Sequence, residues 1–231
     1  MEGSTRSPVC AVIVAGGVGR RLKSSVHKPF VRLKGRPLLA RTLAAFERSS
    51  AVQSVVLVAH EDDVNRAWAL ARRYRCRKVR AVVPGGKSRM GSVDQGLRAL
   101  PPETRWVVVH DAARPLITPE LINTVVRQAR RCRAALVALP VVPTIKEGRS
   151  GWVTGTLDRT RLWEVQTPQV FERRLLEKAH ARGRAEGITA TDDSALVERL
   201  GTRVRIVPGS RRNIKITTPE DRVIAEAFLK R

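Results

Sequence analysis

The 231-residue sequence predicts an α/β fold: one doubly wound, mostly parallel sheet with helices on both faces, plus an extended β-arm. Three observations carry that expectation. Short β-branched apolar runs alternate with helix-period segments from Val9 to Val142. A glycine-rich loop breaks the first apolar run. The alternation then stops between Pro143 and Val165, where glycines and short β-prone pieces replace it.

The first run, Val9 to Val14, reads as a buried strand. It ends in Ala15, Gly16, Gly17, Val18 and Gly19, followed by Arg20, Arg21, Lys23 and Lys28. Glycine permits φ > 0 and lets a ligand approach the main chain. Bare N–H groups backed by fixed positive charge suit a nucleoside triphosphate. Neither common nucleotide motif is complete. Leu22 stands where the dinucleotide fingerprint needs glycine, and the phosphate-loop ending Gly-Lys-Ser/Thr is absent. An ordinary strand-to-loop turn with solvated arginines is the alternative at this point.

Pro37 to Arg48 has helix spacing, with Leu38, Leu39, Leu43, Ala44 and Phe46 apolar and proline near the first turn. A strand at Ser54 to Ala59, a helix at Asp62 to Tyr74 and a strand at Val79 to Val83 follow. Pro84-Gly85-Gly86 and Lys87, Ser88 and Arg89 then lead into a helix from Met90 to Leu100. The strand Trp106 to His110 runs into Asp111-Ala112-Ala113-Arg114-Pro115. A helix at Pro119 to Cys132 and a strand at Ala134 to Val142 close the alternation. In such sheets ligands bind at the carboxyl ends of the strands. Three glycine-rich or charged loops fall there: Ala15 to Lys28, Gly85 to Arg89, and Asp111 to Arg114.

The segment 143–165 reads as the β-arm. Beyond it, helices are expected at Glu172 to Arg182, at Asp192 to Leu200 with Thr191 as N-cap, and at Pro219 to Lys230 with Thr218 as N-cap. Arg203 to Val207 reads as a strand. There is no internal repeat and no linker, so residues 1–231 are expected to form one domain, long enough for a proper core.

Composition bounds the function. Lys and Arg number 44 against 21 Asp and Glu, a formal charge of +23. That charge is spread along the whole chain, and aromatic residues make up only 4%. A stacking platform for single-stranded nucleic acid is therefore a poor fit, and an anionic small substrate a better one. A basic nucleic-acid-binding protein is the distant alternative. Cys10, Cys76 and Cys132 are scattered, which suits reduced thiols and a cytoplasmic location better than a disulfide framework or a metal knuckle. No apolar run approaches the ~18 residues of a membrane span, so no membrane partner is expected. Met1 to Pro8 reads as a short disordered leader. His27, His60, His110 and His180 show no ligand spacing and read as surface or core residues. Asp192 and Asp193 read either as charges at a helix start or as functional carboxylates.

Four stretches carry a more specific signal: Val109-His-Asp-Ala-Ala-Arg-Pro, Gln166-Thr-Pro-Gln-Val-Phe, Thr191-Asp-Asp-Ser-Ala-Leu-Val-Glu and Asn213-Ile-Lys-Ile-Thr-Thr-Pro-Glu-Asp. Together with the glycine loop, and in this order, they resemble the 2-C-methyl-D-erythritol 4-phosphate cytidylyltransferases of the nonmevalonate isoprenoid pathway. The resemblance implies a Rossmann-like sheet, a homodimer, and transfer of CMP from CTP to the polyol phosphate with Mg²⁺ and release of pyrophosphate. A sister enzyme acting on ribitol 5-phosphate is the near alternative. By the resemblance, Arg21 and Lys28 serve the triphosphate. Ala15, Gly86, Ser92 and Ala112 surround the cytidine and ribose, alongside Gly16 and Gly17 of the loop. Asp111, Arg114, Thr144, Arg159, Thr167 and Lys215 form the substrate and catalytic side. The chain departs from the family pattern at Gly16, His27, Pro29, Lys87 and Pro143.

The chemistry agrees with those residue types. A phosphate monoester has a second pKa near ~6 and is mostly ionised at pH 7, so it needs no general base. It needs charge neutralisation and alignment. Arg21, Lys28 and Lys215 are suited to the first. Asp111, at the end of a strand, is the expected oxygen ligand for the metal.

Overall fold

The structure, a computed structural model, describes residues 7–17, 22 and 26–229. Seven strands form the central sheet: β1 (Val9–Ala15), β4 (Ser54–Ala59), β5 (Val79–Pro84), β6 (Trp106–Asp111), β7 (Ala134–Pro140), β10 (Trp163–Glu172) and β11 (Arg205–Pro208), in the order β11-β7-β10-β6-β1-β4-β5. β1 pairs in parallel with β4 and β6, β4 with β5, and β7 with β11. β10 alone runs antiparallel, against both β6 and β7. Two small hairpins flank the sheet: β2 (Arg32–Leu33) with β3 (Arg36–Pro37), and β8 (Lys146–Arg149) with β9 (Trp152–Thr156).

The alternation of side chains along each strand decides which helix layer each residue meets. On β1, Val9, Ala11, Ile13 and Ala15 pack with α1 (Leu38–Arg48), α2 (Val64–Arg73) and α4 (Pro119–Cys132), through Leu43, Phe46, Leu70 and Val125. Cys10 and Val12 face the opposite layer: α3 (Arg89–Arg98), α5 (Arg173–Ala185) and α6 (Asp193–Glu198), through Val93, Leu97, Leu176 and Leu196. Both faces are covered, which is why β1, and β6 from Trp106 to Val109, are apolar rather than alternating. α3 lies so close to β1 that a Cβ on Gly96 would overlap the Val12 side chain. A third small cluster joins Leu33, Leu38 and Ile216 to Ala225 of α7 (Pro219–Phe228).

Three expectations change. The strand β10 lies where only an arm and a loop were expected. Pro168 hides it, because proline lacks the ladder donor and reads as a strand breaker. Here a cis Thr167–Pro168 peptide sits inside the register shift between Gln166 and Gln169, and pairing resumes beyond it. The arm is correspondingly shorter than 143–165, since Trp163, Glu164 and Val165 pair with Pro140, Leu139 and Ala138. Finally, Asp192 rather than Thr191 caps α6, its side chain accepting from the Ala195 N–H. Thr218 caps α7 in a full capping box with Asp221. Of the expected leader, residues 1–6 lie outside the described residues.

Candidate active site

Of the three loops expected at the carboxyl ends of the strands, the described ends of the first, Ala15 to Gly17 and Lys28, converge with the other two, while Val18 to Arg21 and Lys23 to Ser25 lie outside the described residues. They enclose a cavity of about 420 Å³ lined by Val14 to Gly17, Lys28, Gly86 to Arg89, Ser92, Asp111 to Ala113 and Lys215. Beside it lies a second cavity of about 380 Å³, lined by Arg114, Gln166, Thr167, Gln169, Asp192 and others. Arg89, Asp111 and Lys215 line both.

Local structure sets each wall. Phe30 and Pro29 are buried, and they anchor the 3-10 turn Lys28–Phe30 that carries Lys28 to the first cavity. On the opposite wall the Ser92 hydroxyl accepts from the Gly86 N–H at 3.2 Å and donates to the Ser88 carbonyl at 2.9 Å. A Cβ on Gly86 would stand 2.7 Å from the Gly91 backbone, so only glycine fits this approach of loop to helix. Ser88 caps α3 by accepting from the Gly91 N–H. The Thr42 hydroxyl holds the Ala112 carbonyl at 3.0 Å, and the Ala112 N–H donates to Val14.

Asp111 ends β6 and is 7% exposed. Its Oδ1 accepts from Arg89 Nε at 3.3 Å, and its Oδ2 lies 2.6 Å from Lys215 Nζ. Burial alone would raise its pKa, but Arg89 and then Lys215 hold it well below the usual carboxylate range. The site therefore keeps an ionised carboxylate between two cations.

Behind Asp111 stands a buried polar layer. The Asp111 N–H donates to Thr167 Oγ1 at 3.1 Å, and that hydroxyl lies 3.0 Å from His110 Nδ1. His110 Nε2 faces the Arg114 carbonyl at 3.3 Å. A carbonyl only accepts, so Nε2 carries the proton and Nδ1 accepts from Thr167. Burial pushes the His110 imidazole down to about 3, so it is neutral and both its nitrogens are engaged. Arg114 is no solvated loop residue: it is 7% exposed and donates to the Asn213 carbonyl at 2.8 Å. Asn213 Nδ2 in turn donates to Gln166 Oε1 and the Thr167 carbonyl, at 3.0 and 2.9 Å. With the Ile216 N–H bonded to Ala113, these contacts fix the segment carrying Lys215 against β6 and β10.

Of the expected site residues, Ala15, Gly16, Gly17, Lys28, Gly86, Ser92, Asp111, Ala112 and Lys215 line the first cavity, and Arg114 and Thr167 the second. Thr144 and Arg159 sit in the exposed arm outside both; Arg159 Nη1 donates to the Val142 carbonyl. Arg21 lies outside the described residues. Four residues that shape the site were not singled out from sequence: Arg89, His110, Gln169 and Asn213. Each lies within a noticed motif, but nothing in the local pattern says that it points inward. Asp192 and Asp193 divide their roles. Asp192 caps α6, whereas Asp193 is 1% exposed and accepts from Arg89 Nη1 at 2.8 Å.

Residues 9–231 match the family model described as 2-C-methyl-D-erythritol 4-phosphate cytidylyltransferase. Relatives of that name include those of Pelotomaculum thermopropionicum, 48% identical with 96% of this chain and 94% of that one aligned, and Desulforamulus reducens, 46% identical with 96% of each aligned. The solved 4-diphosphocytidyl-2C-methyl-D-erythritol synthase of Anaerococcus prevotii superposes with a TM-score of 0.86 at 30% identity, covering 98% of this chain and 100% of that one. The solved enzyme of Thermus thermophilus gives 0.79 at 33% identity, covering 95% and 98%. The chain belongs to the 2-C-methyl-D-erythritol 4-phosphate cytidylyltransferase family.

Proposed function

We propose that the chain is the CTP-dependent cytidylyltransferase of isoprenoid precursor synthesis, with CTP in the first cavity and 2-C-methyl-D-erythritol 4-phosphate in the second. The observation that carries this division is that Arg89, Asp111 and Lys215 line both cavities, so the attacking phosphate and the α-phosphate of CTP can meet there. A phosphate oxygen of the polyol attacks the α-phosphorus of CTP. A P–O bond forms there as the bond to the β-phosphate bridge breaks, and the electron pair leaves with pyrophosphate. The attacking monoester is already ionised, so no proton need move. Lys28 faces the triphosphate, and Lys215 stands where negative charge is shared between attacker and α-phosphate. Arg114 backs the second cavity. His110 takes no part in proton transfer, since it is neutral and bonded at both nitrogens.

Mg²⁺ fits this donor set through Asp111. Among the described residues no group of three or more His, Cys, Asp or Glu side chains gathers to hold a metal. One carboxylate plus phosphate oxygens is a common arrangement for magnesium. Bound with CTP, the ion supplies charge neutralisation on the triphosphate.

A homodimer and a cytoplasmic location belong to the same reading. The arm exposes Val142, Trp152 and Val153 at 52%, 78% and 66%, too much apolar surface for a hairpin with no core of its own. A two-fold partner would cover it and receive Thr144 and Arg159 into its own site. The buried thiols of Cys10 and Cys76, pushed up to about 11 by burial, suit a reducing compartment. No helix among the described residues is long and apolar enough to cross a membrane.

Pyrophosphate release from CTP and Mg²⁺, measured with methylerythritol phosphate and separately with ribitol 5-phosphate, tests the assignment. Turnover with the first and little with the second is expected. Turnover with ribitol 5-phosphate alone, or with neither, overturns it.

A further inference from the structure

A buried polar chain leads from Asp111 away from both cavities. Arg89 Nε holds Asp111, and Arg89 Nη1 holds Asp193 Oδ2 at 2.8 Å. Asp193 Oδ1 lies 3.0 Å from His180 Nε2, and His180 Nδ1 lies 2.9 Å from Asp94 Oδ1. Arg184 Nη1 closes the chain on Asp94. Charges alternate along it: Lys215, Asp111, Arg89, Asp193, His180, Asp94, Arg184. The three inner members sit on three helices, Asp94 on α3, His180 on α5 and Asp193 on α6. His180 is fully buried between them.

A neutral imidazole has one N–H, so it would turn a lone pair toward one of these two carboxylates. The imidazolium satisfies both. Burial opposes its charge, but the hydrogen bonds it donates to Asp193 and Asp94, with their negative charge, outweigh burial and push it up to about 8. Arg184 and Arg89, the next charged groups on either side, meet His180 only through those carboxylates.

We propose that His180, as an imidazolium, is a positioning residue for cytidylyl transfer, holding Asp193 so that Arg89 is fixed and in turn orients Asp111. The inference rests on Asp111 being the carboxylate of the transfer reaction. Without the charge on His180, Asp193 loses one of its two cationic partners. Arg89 then gains freedom at the first residue of α3, where it shapes both cavities. Loss of such outer partners commonly costs about 10–100-fold in activity.

Rate against pH from 6 to 10, at saturating substrates, separates positioning from simple stapling of helices. The proteins are the wild type, His180→Gln, Asp94→Asn and Asp111→Asn, each with a melting curve under assay conditions. In the wild type kcat should fall as pH rises through about 8. His180→Gln should lack that limb and have kcat lowered about tenfold, with KM for CTP nearly unchanged. Asp94→Asn should keep its rate at pH 6 but move the limb about one unit lower, because one of the two stabilising carboxylates is gone. A limb at the same pH in all folded variants, with changes only in melting temperature, overturns the proposal. Should both helix variants fail to fold, ring-nitrogen NMR of the wild type decides: a His180 ring neutral at pH 7 also overturns it. Full activity in Asp111→Asn refutes the reading of Asp111; loss there with an unmoved limb refutes only the role of His180.

Discussion

Lys215 Nζ lies 2.6 Å from Asp111 Oδ2 at the junction of the two cavities, with the lysine side chain 41% exposed and the carboxylate 10%. The carboxylate is fixed from behind by Arg89, whereas the lysine side chain reaches it from the solvent side of a segment pinned by buried Asn213 and Ile216. An ammonium on a flexible stem can turn from carboxylate to phosphate when substrates arrive.

Replacing Lys215 by Ala should therefore lower kcat by about 10²–10³, with a smaller change in KM, because charge on the reacting phosphates grows and shifts during transfer. Steady-state kinetics with each substrate varied checks this. An effect confined to KM would show that Lys215 only holds the ground state.

Asp111→Asn removes the counter-charge of two cations and the carboxylate proposed to meet magnesium. Most activity should be lost, and the Mg²⁺ titration of the residual rate should become weaker. An unchanged magnesium dependence would assign Asp111 to a different task.

Stability should have a maximum in mildly acidic solution. Asp111 and Asp193 are held below the usual carboxylate range by their cationic partners, Arg89 with Lys215 for the first and His180 with Arg89 for the second. Their contribution is present above the unfolded value of about 3.9 and is lost as pH falls through the lower folded values. His180 has the opposite sign. Its folded value of about 8 lies above the ordinary 6.5, so its contribution is complete below 6.5 and is lost as pH rises through about 8. Urea unfolding at a series of pH values should show a decline between pH 6.5 and 8 that His180→Gln abolishes; a flat wild-type curve there would contradict the assignment.

Asn213→Ala should destabilise the protein by about 1–3 kcal/mol, because Gln166 Oε1 and the Thr167 carbonyl lose a buried donor. Chemical unfolding measures this. A change within error would mean that water replaces the amide at both acceptors.

The proposed crossing of the arm between two subunits makes a sharper test of assembly. Lys28→Ala subunits mixed with Arg159→Ala subunits should regain activity, because each mixed dimer has one site with both residues intact. With random pairing about half the dimers are mixed, so roughly a quarter of all sites recover. Demonstrated exchange without recovery would place Arg159 in its own subunit's chemistry.

Much of this was legible in the sequence because period and punctuation are local. Val9 to Val14, Ser54 to Ala59 and Pro119 to Cys132 appear as strands or helix within a residue of where they were read. The three site loops followed from the carboxyl-end rule. What stayed hidden depends on distant partners. β10 is built around Pro168 and becomes a strand only because β6 and β7 flank it. Arg89 reads as one arginine among 35 until Asp111 and Asp193 are seen on its two sides. His180 shows no ligand spacing because its partners lie 86 and 13 residues away.

The direction of attack at the shared junction is the central claim, and an isotope experiment tests it directly. Methylerythritol phosphate carrying ¹⁸O in its phosphate group is incubated with enzyme, CTP and Mg²⁺, and the products are read by ³¹P NMR. Attack by the polyol phosphate on the α-phosphorus predicts ¹⁸O in the new diphosphate bridge, shifting both its phosphorus signals, and an unlabelled pyrophosphate. Label in the pyrophosphate, or a diphosphate bridge without it, would contradict the account.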